Sequence, residues 1–151
     1  MTFDPQATLD ALVSHAKRLG VFERVYAHEP KNAPGNGLSC VIWGDRIDPI
    51  RSSGLNSVSL RVAYSVRVYK PMNSEPQDGI DPTILNGVTA LWNAYAGDFT
   101  LDGEARQVDL LGAYGAAMSA QAGYLNQDGR LFRVMTLTLP IIFDDVFEEV
   151  P

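Results

Sequence analysis

From residue 57 to 69, Val58, Leu60, Val62, Tyr64, Val66 and Val68 alternate with Ser57, Ser59, Arg61, Ala63, Ser65, Arg67 and Tyr69. A period of two held over about twelve residues rules out a helix and predicts a strand with one core face and one polar face. At ~3.3 Å per residue such a strand spans ~40 Å, so it must curve strongly or project beyond the domain. It also needs neighbouring strands and something apolar to cover its core face.

The covering elements are legible. Asp4 as N-cap, Pro5 at the first helical position, Lys17 and Arg18 in the last turn and Gly20 as terminator bracket a first helix,. Leu9, Leu12, Val13, Ala16 and Leu19 make its apolar stripe,. Asp81-Pro82 restarts a helix that ends at Gly97, with Ile84, Leu85, Val88, Leu91, Trp92 and Tyr95 as a similar stripe,. Strands are expected at 21–28, 38–43 and 57–69, then from 105 onward. There the turn at 126–129 joins 119–125 to 130–143 as a hairpin. Leu131, Met135, Leu137, Leu139 and Ile141 share one side of that last strand, and Pro140 implies an edge position or a strand terminus,. The order α-β-β-β-α-β-β-β is an α+β fold: a twisted, largely antiparallel sheet with two helices packed on one face. The 151 residues suit one domain, 1–151, with an acidic solvated end at about 144–151,.

Composition excludes several functions. The longest apolar stretches fall far short of the roughly 18 residues a membrane helix needs, and the N-terminus has no signal-peptide pattern, so folding in a cytoplasm is expected. One cysteine and two distant histidines cannot fill a four-ligand zinc site,. Cys40, in Leu-Ser-Cys-Val-Ile-Trp, reads as a buried structural thiol,. The net charge of −6 argues against gripping nucleic acid through phosphates,. Its distribution is uneven: residues 1–70 hold nine Lys/Arg and six Asp/Glu (+3), whereas 71–151 hold three and twelve (−9). Either the halves neutralise each other within the fold, or two surfaces of opposite sign favour head-to-tail contact between copies.

Catalytic constellations are not evident. His15 and His28 sit in no nucleophile motif, and Pro-Gly-Asn-Gly at 34–37 precedes neither Lys-Ser/Thr nor a helix that could cradle phosphate,. The segment from Asp98 through Asp102, Gly103 and Glu104 to Asp109 matches a calcium loop only weakly. Thr100 stands at the third position and the exiting segment looks like a strand, so an ordinary polar turn is the better reading,. Neither cofactor nor metal is expected.

Over nearly its whole length the sequence resembles the tail terminator proteins of long-tailed, siphovirus-type bacteriophages, including the lambda-like group. The resemblance is carried by the capped N-terminal helix, Tyr-Ala-His-Glu-Pro-Lys-Asn-Ala-Pro-Gly-Asn-Gly at 26–37, Val-Ile-Trp at 41–43 and Val-Arg-Val-Tyr-Lys-Pro-Met-Asn-Ser-Glu-Pro at 66–76. It implies a non-enzymatic virion subunit in the neck-proximal tail. Six copies would ring the head-proximal end of the tail tube, stop its polymerisation and present a surface to the head-tail connector, with DNA passing through the lumen unbound. The nearest competing class is another neck or head-tail joining component. A small-molecule-binding or enzymatic α+β domain is the more distant one.

Site expectations rest on loops and charge. Arg61 and Arg67 are expected near an acidic surface of the next copy. Lys31, Lys70, Glu75 and Asp78, in or beside the Pro-rich loops 29–37 and 71–80, are expected to reach the tube or the connector,. Asp98, Asp102, Glu104, Asp109, Asp144 and Asp145 are the candidates for an acidic lumen,.

Overall fold

The computed structural model describes residues 3–27, 37–50, 57–73, 77–98, 100–101, 103, 105–127 and 129–148, with the side chains of 57, 77 and 145–148 outside that description. Helix α1, Pro5–Arg18, begins as its sequence dictates: Asp4 accepts a hydrogen bond from the Ala7 amide at 3.1 Å, and Pro5 occupies the first turn. Such a cap contributes about 1 kcal/mol. Its most buried residues are Thr8, Ala11, Leu12, His15 and Ala16, while Leu9, Val13 and Leu19 are only partly buried. The buried stripe is therefore rotated from the purely apolar one, and a histidine lies inside it.

The chain continues through β1 (Arg24–Tyr26), β2 (Ser39–Ile50), β3 (Ser57–Pro71), a single 3-10 turn (Gln77–Gly79), α2 (Ile80–Gly97), β4 (Gln107–Val108), β5 (Ser119–Gln127) and β6 (Arg130–Glu148). The fold is α+β, with both helices on one face of a mixed, strongly curled sheet. The sheet order is β1-β2-β3-β6-β4, and β5 pairs with β6. Among the described residues only the β1–β2 pairing is parallel.

Three strands, β1, β2 and β6, differ in extent by several residues from the sequence expectation. Strand β1 is shorter than 21–28, and His28 lies outside the described residues. Strand β2 runs on through Pro49 to Ile50, because β3 is long enough to pair with it as far as Ser59. The tolerance for Pro49 has a local cause: among the described residues β2 is covered on that side only by β1, at Ser39, Cys40 and Val41, which leaves the rest an edge where a missing N–H breaks no ladder,. Strand β6 continues through the acidic segment to Glu148, paired with β3 at Val58 and Ser57, so the end at 144–148 is ladder backbone rather than a free tail.

Pro140 lies in the middle of β6, neither at an edge nor at a terminus. Its carbonyl accepts from the Asp109 amide, so its absent N–H faces the same side,. That side is the gap between β5, whose pairing stops at Thr138, and β4, whose pairing starts at Ile141. The proline interrupts nothing.

The main core fills the space between helices and sheet. Even-numbered β3 residues Leu60, Val62, Tyr64, Val66 and Val68 meet odd-numbered β6 residues Leu137, Leu139, Ile141 and Phe143. Against them pack Leu12 and Ala16 of α1 and Ile84, Val88, Leu91 and Tyr95 of α2. The helices are tied directly by the Tyr95 hydroxyl, which donates to the Leu12 carbonyl at 3.0 Å. Gly87 lets α2 approach closely, since a Cβ there would lie 3.1 Å from Leu38. Leu131, though on the same parity, is exposed beyond the end of this core.

The opposite face of β3 is not the solvated face that the alternation predicts. Ser59, Arg61, Ala63, Ser65 and Tyr69 are all buried. Tyr69 joins Val41, Phe132 and Val134 in a second apolar cluster, with Tyr26, Trp43 and Leu125 packed against it. A central strand in a curled sheet is covered on both faces, so its polar residues must find partners inside the protein.

Candidate functional site

Arg61 finds such partners. Its Nε donates to Asp109 Oδ2 at 3.2 Å, and its guanidinium also donates to the Ala116 carbonyl. Asp109 in turn accepts the Ala113 amide on Oδ1 at 2.7 Å and the Tyr114 amide on Oδ2 at 3.2 Å. The segment after β4 thereby wraps the guanidinium and is closed by the Met118 amide on the Leu110 carbonyl. Two glycines allow this path. Gly112 has φ +78°, and a Cβ on it would sit 2.5 Å from the Gly115 carbonyl oxygen; a Cβ on Gly115 would lie 2.8 Å from the Arg61 guanidinium carbon,.

This arrangement corrects two expectations. Arg61 is 9 % exposed and Asp109 2 % exposed, so neither the one nor the other is free for a neighbouring copy or a lumen. Each charge is satisfied within the chain, as a buried ion must be. Arg67 is likewise engaged internally: its Nε donates to Thr136 Oγ1 at 2.8 Å, and its guanidinium stands 5.0 Å from the centre of the Trp43 ring,.

The remaining described candidates are partly exposed. Asp98, at the end of α2, accepts from His15 Nε2 at 2.8 Å. The other imidazole nitrogen lies 2.7 Å from the Ala11 carbonyl, so the buried His15 faces an acceptor at each nitrogen and joins α1 to the end of α2. Asp144 pairs with Arg106 at 3.0 Å and accepts from Ser59 at 3.3 Å. Each lumen candidate whose side chain is described, Asp98, Asp109 and Asp144, thus has a cationic or imidazole partner from its own chain. Arg61–Asp109 pairs a cation of the basic half of the sequence with an anion of the acidic half, as the neutralisation reading expects, and the His15–Asp98 hydrogen bond also joins the two halves.

Lys70 stands opposite Arg133 in the ladder, and Arg133 is drawn away to Asp81 at 3.1 Å. Exposed Asp78 lines an open cleft of about 420 Å³ with Met72, Ile80, Asp81, Tyr124 and Arg133. Lys31, Glu75, Asp102 and Glu104 lie outside the described residues, as does the side chain of Asp145 and most of loop 29–37. Among the described residues no group of three metal-ligating side chains forms, and no helix is long and apolar enough to cross a membrane. Cys40 is fully buried, and burial pushes its thiol up to about 12, far from a thiolate at neutral pH,.

The feature that residue-type reasoning missed is a neutral one. Residues 110–127 contain no Asp, Glu, Lys or Arg, the longest such run in the chain. They form the loop around Arg61, whose Leu111 is 93 % exposed, and all of β5, whose Tyr124 is 63 % exposed. The sequence signal is the missing charge, which no pattern of ionisable side chains marks. No family model matches the chain, and no curated protein matches it.

Proposed function

We propose that this protein is a structural subunit of a phage tail terminator: a six-membered ring on the head-proximal end of the tail tube that halts polymerisation and offers a surface to the head-tail connector. The observation that carries this reading is the resemblance in wording at 26–37, 41–43 and 66–76 within one α-β-β-β-α-β-β-β domain. The role asks for a rigid block with distinct contact surfaces rather than a reactive centre. The two-sided core around β3 and the internal ion pairs Arg61–Asp109 and Arg106–Asp144 fit that demand.

DNA would cross the ring without being held, since each phosphate contact by Lys or Arg adds binding free energy that opposes sliding. In such a ring the net charge of −6 per copy works in the right direction. The test mixes the purified protein with tail tube subunits during polymerisation. Capped tubes of limited length, with a six-copy ring visible at one end by electron microscopy, are expected. Tubes that elongate unchecked and carry no added density would overturn the reading.

A further inference from the structure

Strand β5 has an open outer edge. Among the described residues it pairs with β6 alone. The Arg106 and Asp109 amides donate to the Ile142 and Pro140 carbonyls, which puts even-numbered β6 residues on the β4/β5 side. Their partners on β5 are Ser119, Gln121, Gly123, Leu125 and Gln127. Ala120, Ala122, Tyr124 and Asn126 therefore turn their N–H and C=O groups outward, since backbone direction alternates along a strand.

Open edges invite strand addition, and proteins usually blunt them with charge, proline, bulges or short length. Among the described residues, other open edges are blunted in this way. The uncovered part of β2 has a register shift at Gly44/Arg46, the charges Asp45, Arg46 and Asp48, and Pro49. Strand β1 has three residues, and the end of β6 beyond Phe143 carries Asp144, Asp145 and Glu148. Nine-residue β5, Ser-Ala-Gln-Ala-Gly-Tyr-Leu-Asn-Gln, carries none of these devices.

We infer that the outer edge of β5 pairs antiparallel with β5 of a second copy of this chain, about a two-fold axis at Gly123. Charge selects the occupant. An isologous contact sets a patch against itself, so in a chain of net charge −6 a charged patch would meet its own sign, whereas the uncharged run does not,. The cation beside the axis, Arg133, which donates to the Gly123 carbonyl at 3.3 Å and stands 4.6 Å from the Tyr124 ring, is paired with Asp81 at 3.1 Å. Geometry selects the register. Centring on Gly123 sets Ala122 opposite Tyr124 and Ala120 opposite Asn126, so that all four outward residues of each copy are paired. Gly123 then faces Gly123 at a non-hydrogen-bonded position, where backbones approach most closely and a missing side chain fits. This contact lies outside a six-fold head-to-tail ring, so it stands independently of the terminator reading.

Hydrogen exchange on the full chain tests it. The amides of Ala120, Ala122, Tyr124 and Asn126 are expected to slow by roughly tenfold or more as concentration rises, with those of Gln121, Gly123 and Leu125 slow throughout. Native mass spectrometry should show pairing that Ala122→Pro abolishes, because it removes one outward N–H and spares the β6 ladder. Ala122→Lys, which brings like charges together beside the axis, serves as a second variant and should act alike. Even-numbered amides that exchange as open backbone at every concentration would overturn the inference, as would both variants keeping the wild-type mass distribution. A six-copy ring whose even-numbered β5 amides stay unprotected overturns the pairing and leaves the terminator reading. Protected pairs that fail to cap tubes do the reverse.

Discussion

Arg61 and Asp109, 48 residues apart in sequence, meet at 3.2 Å on the side of the sheet away from the helices. Removing one partner leaves a buried charge without its counter-ion, which typically costs 3–5 kcal/mol, roughly, whereas replacing both with apolar groups costs far less. We expect Asp109→Ala to destabilise by about 4 kcal/mol in urea unfolding, with Arg61→Met/Asp109→Leu recovering much of that loss. If Asp109→Ala unfolds within the error of wild type, the pair is not the anchor of the 110–117 loop.

The two glycines of that loop should differ from glycines elsewhere. Gly112→Ala forces a side chain into a positive-φ position against backbone that cannot yield, and about 2–3 kcal/mol is expected,. Gly97→Ala, where nothing lies within 4 Å of the new Cβ and no positive φ is required, serves as control. Equal melting temperatures for the two variants would contradict this geometry.

Tyr95→Phe deletes only the hydroxyl that donates to the Leu12 carbonyl, removing a buried hydrogen bond between the helices while that carbonyl keeps its place in the α1 ladder. The expected loss is about 1–2 kcal/mol. Faster exchange of amides in α1 should accompany it, because this bond links α1 to α2 directly. Unaltered stability would mean that the aromatic ring alone does the packing.

Stability should fall at alkaline pH. Burial pushes the Cys40 thiol from 9.0 to about 12 and the Tyr64 phenol from 10.0 to about 12, and raises Tyr95 well above its ordinary value. The unfolded chain releases these protons first, so their stabilising contribution is intact below pH 9 and is lost as pH rises from there through about 12,. For the thiol the slope is about 1.4 kcal/mol per pH unit. Cys40→Ala should flatten the pH dependence of the urea midpoint over that window, and native Cys40 should resist alkylation at neutral pH. A midpoint as steep in Cys40→Ala as in wild type would remove the thiol from the account.

Elements with local causes were readable from the sequence. Asp4 caps α1 because Ser/Thr/Asp/Asn chemistry at an N-terminus is a contact within four residues,. The alternation of β3, the stripe of α2 and the 126–129 turn likewise depend on periods and dihedrals that neighbouring residues set. The alternation names which residues share a face of β3, but not whether the second face meets water.

That second face was decided by the sheet's curl and by the segment that folds over it. Arg61 reads as an exposed cation in a Ser/Arg stripe, yet it is buried because Asp109, Ala116 and Gly115 come from another part of the chain to enclose it. The same holds for Pro140, which looks like a strand end until the gap between β4 and β5 is seen beside it. The outward edge of β5 also depends on which strand lies beyond it, a property of the sheet order rather than of any residue in β5. Local chemistry specifies elements and their faces; long-range pairing, with its loop-closure cost and its competition for hydrogen bonds, specifies which faces and edges remain open.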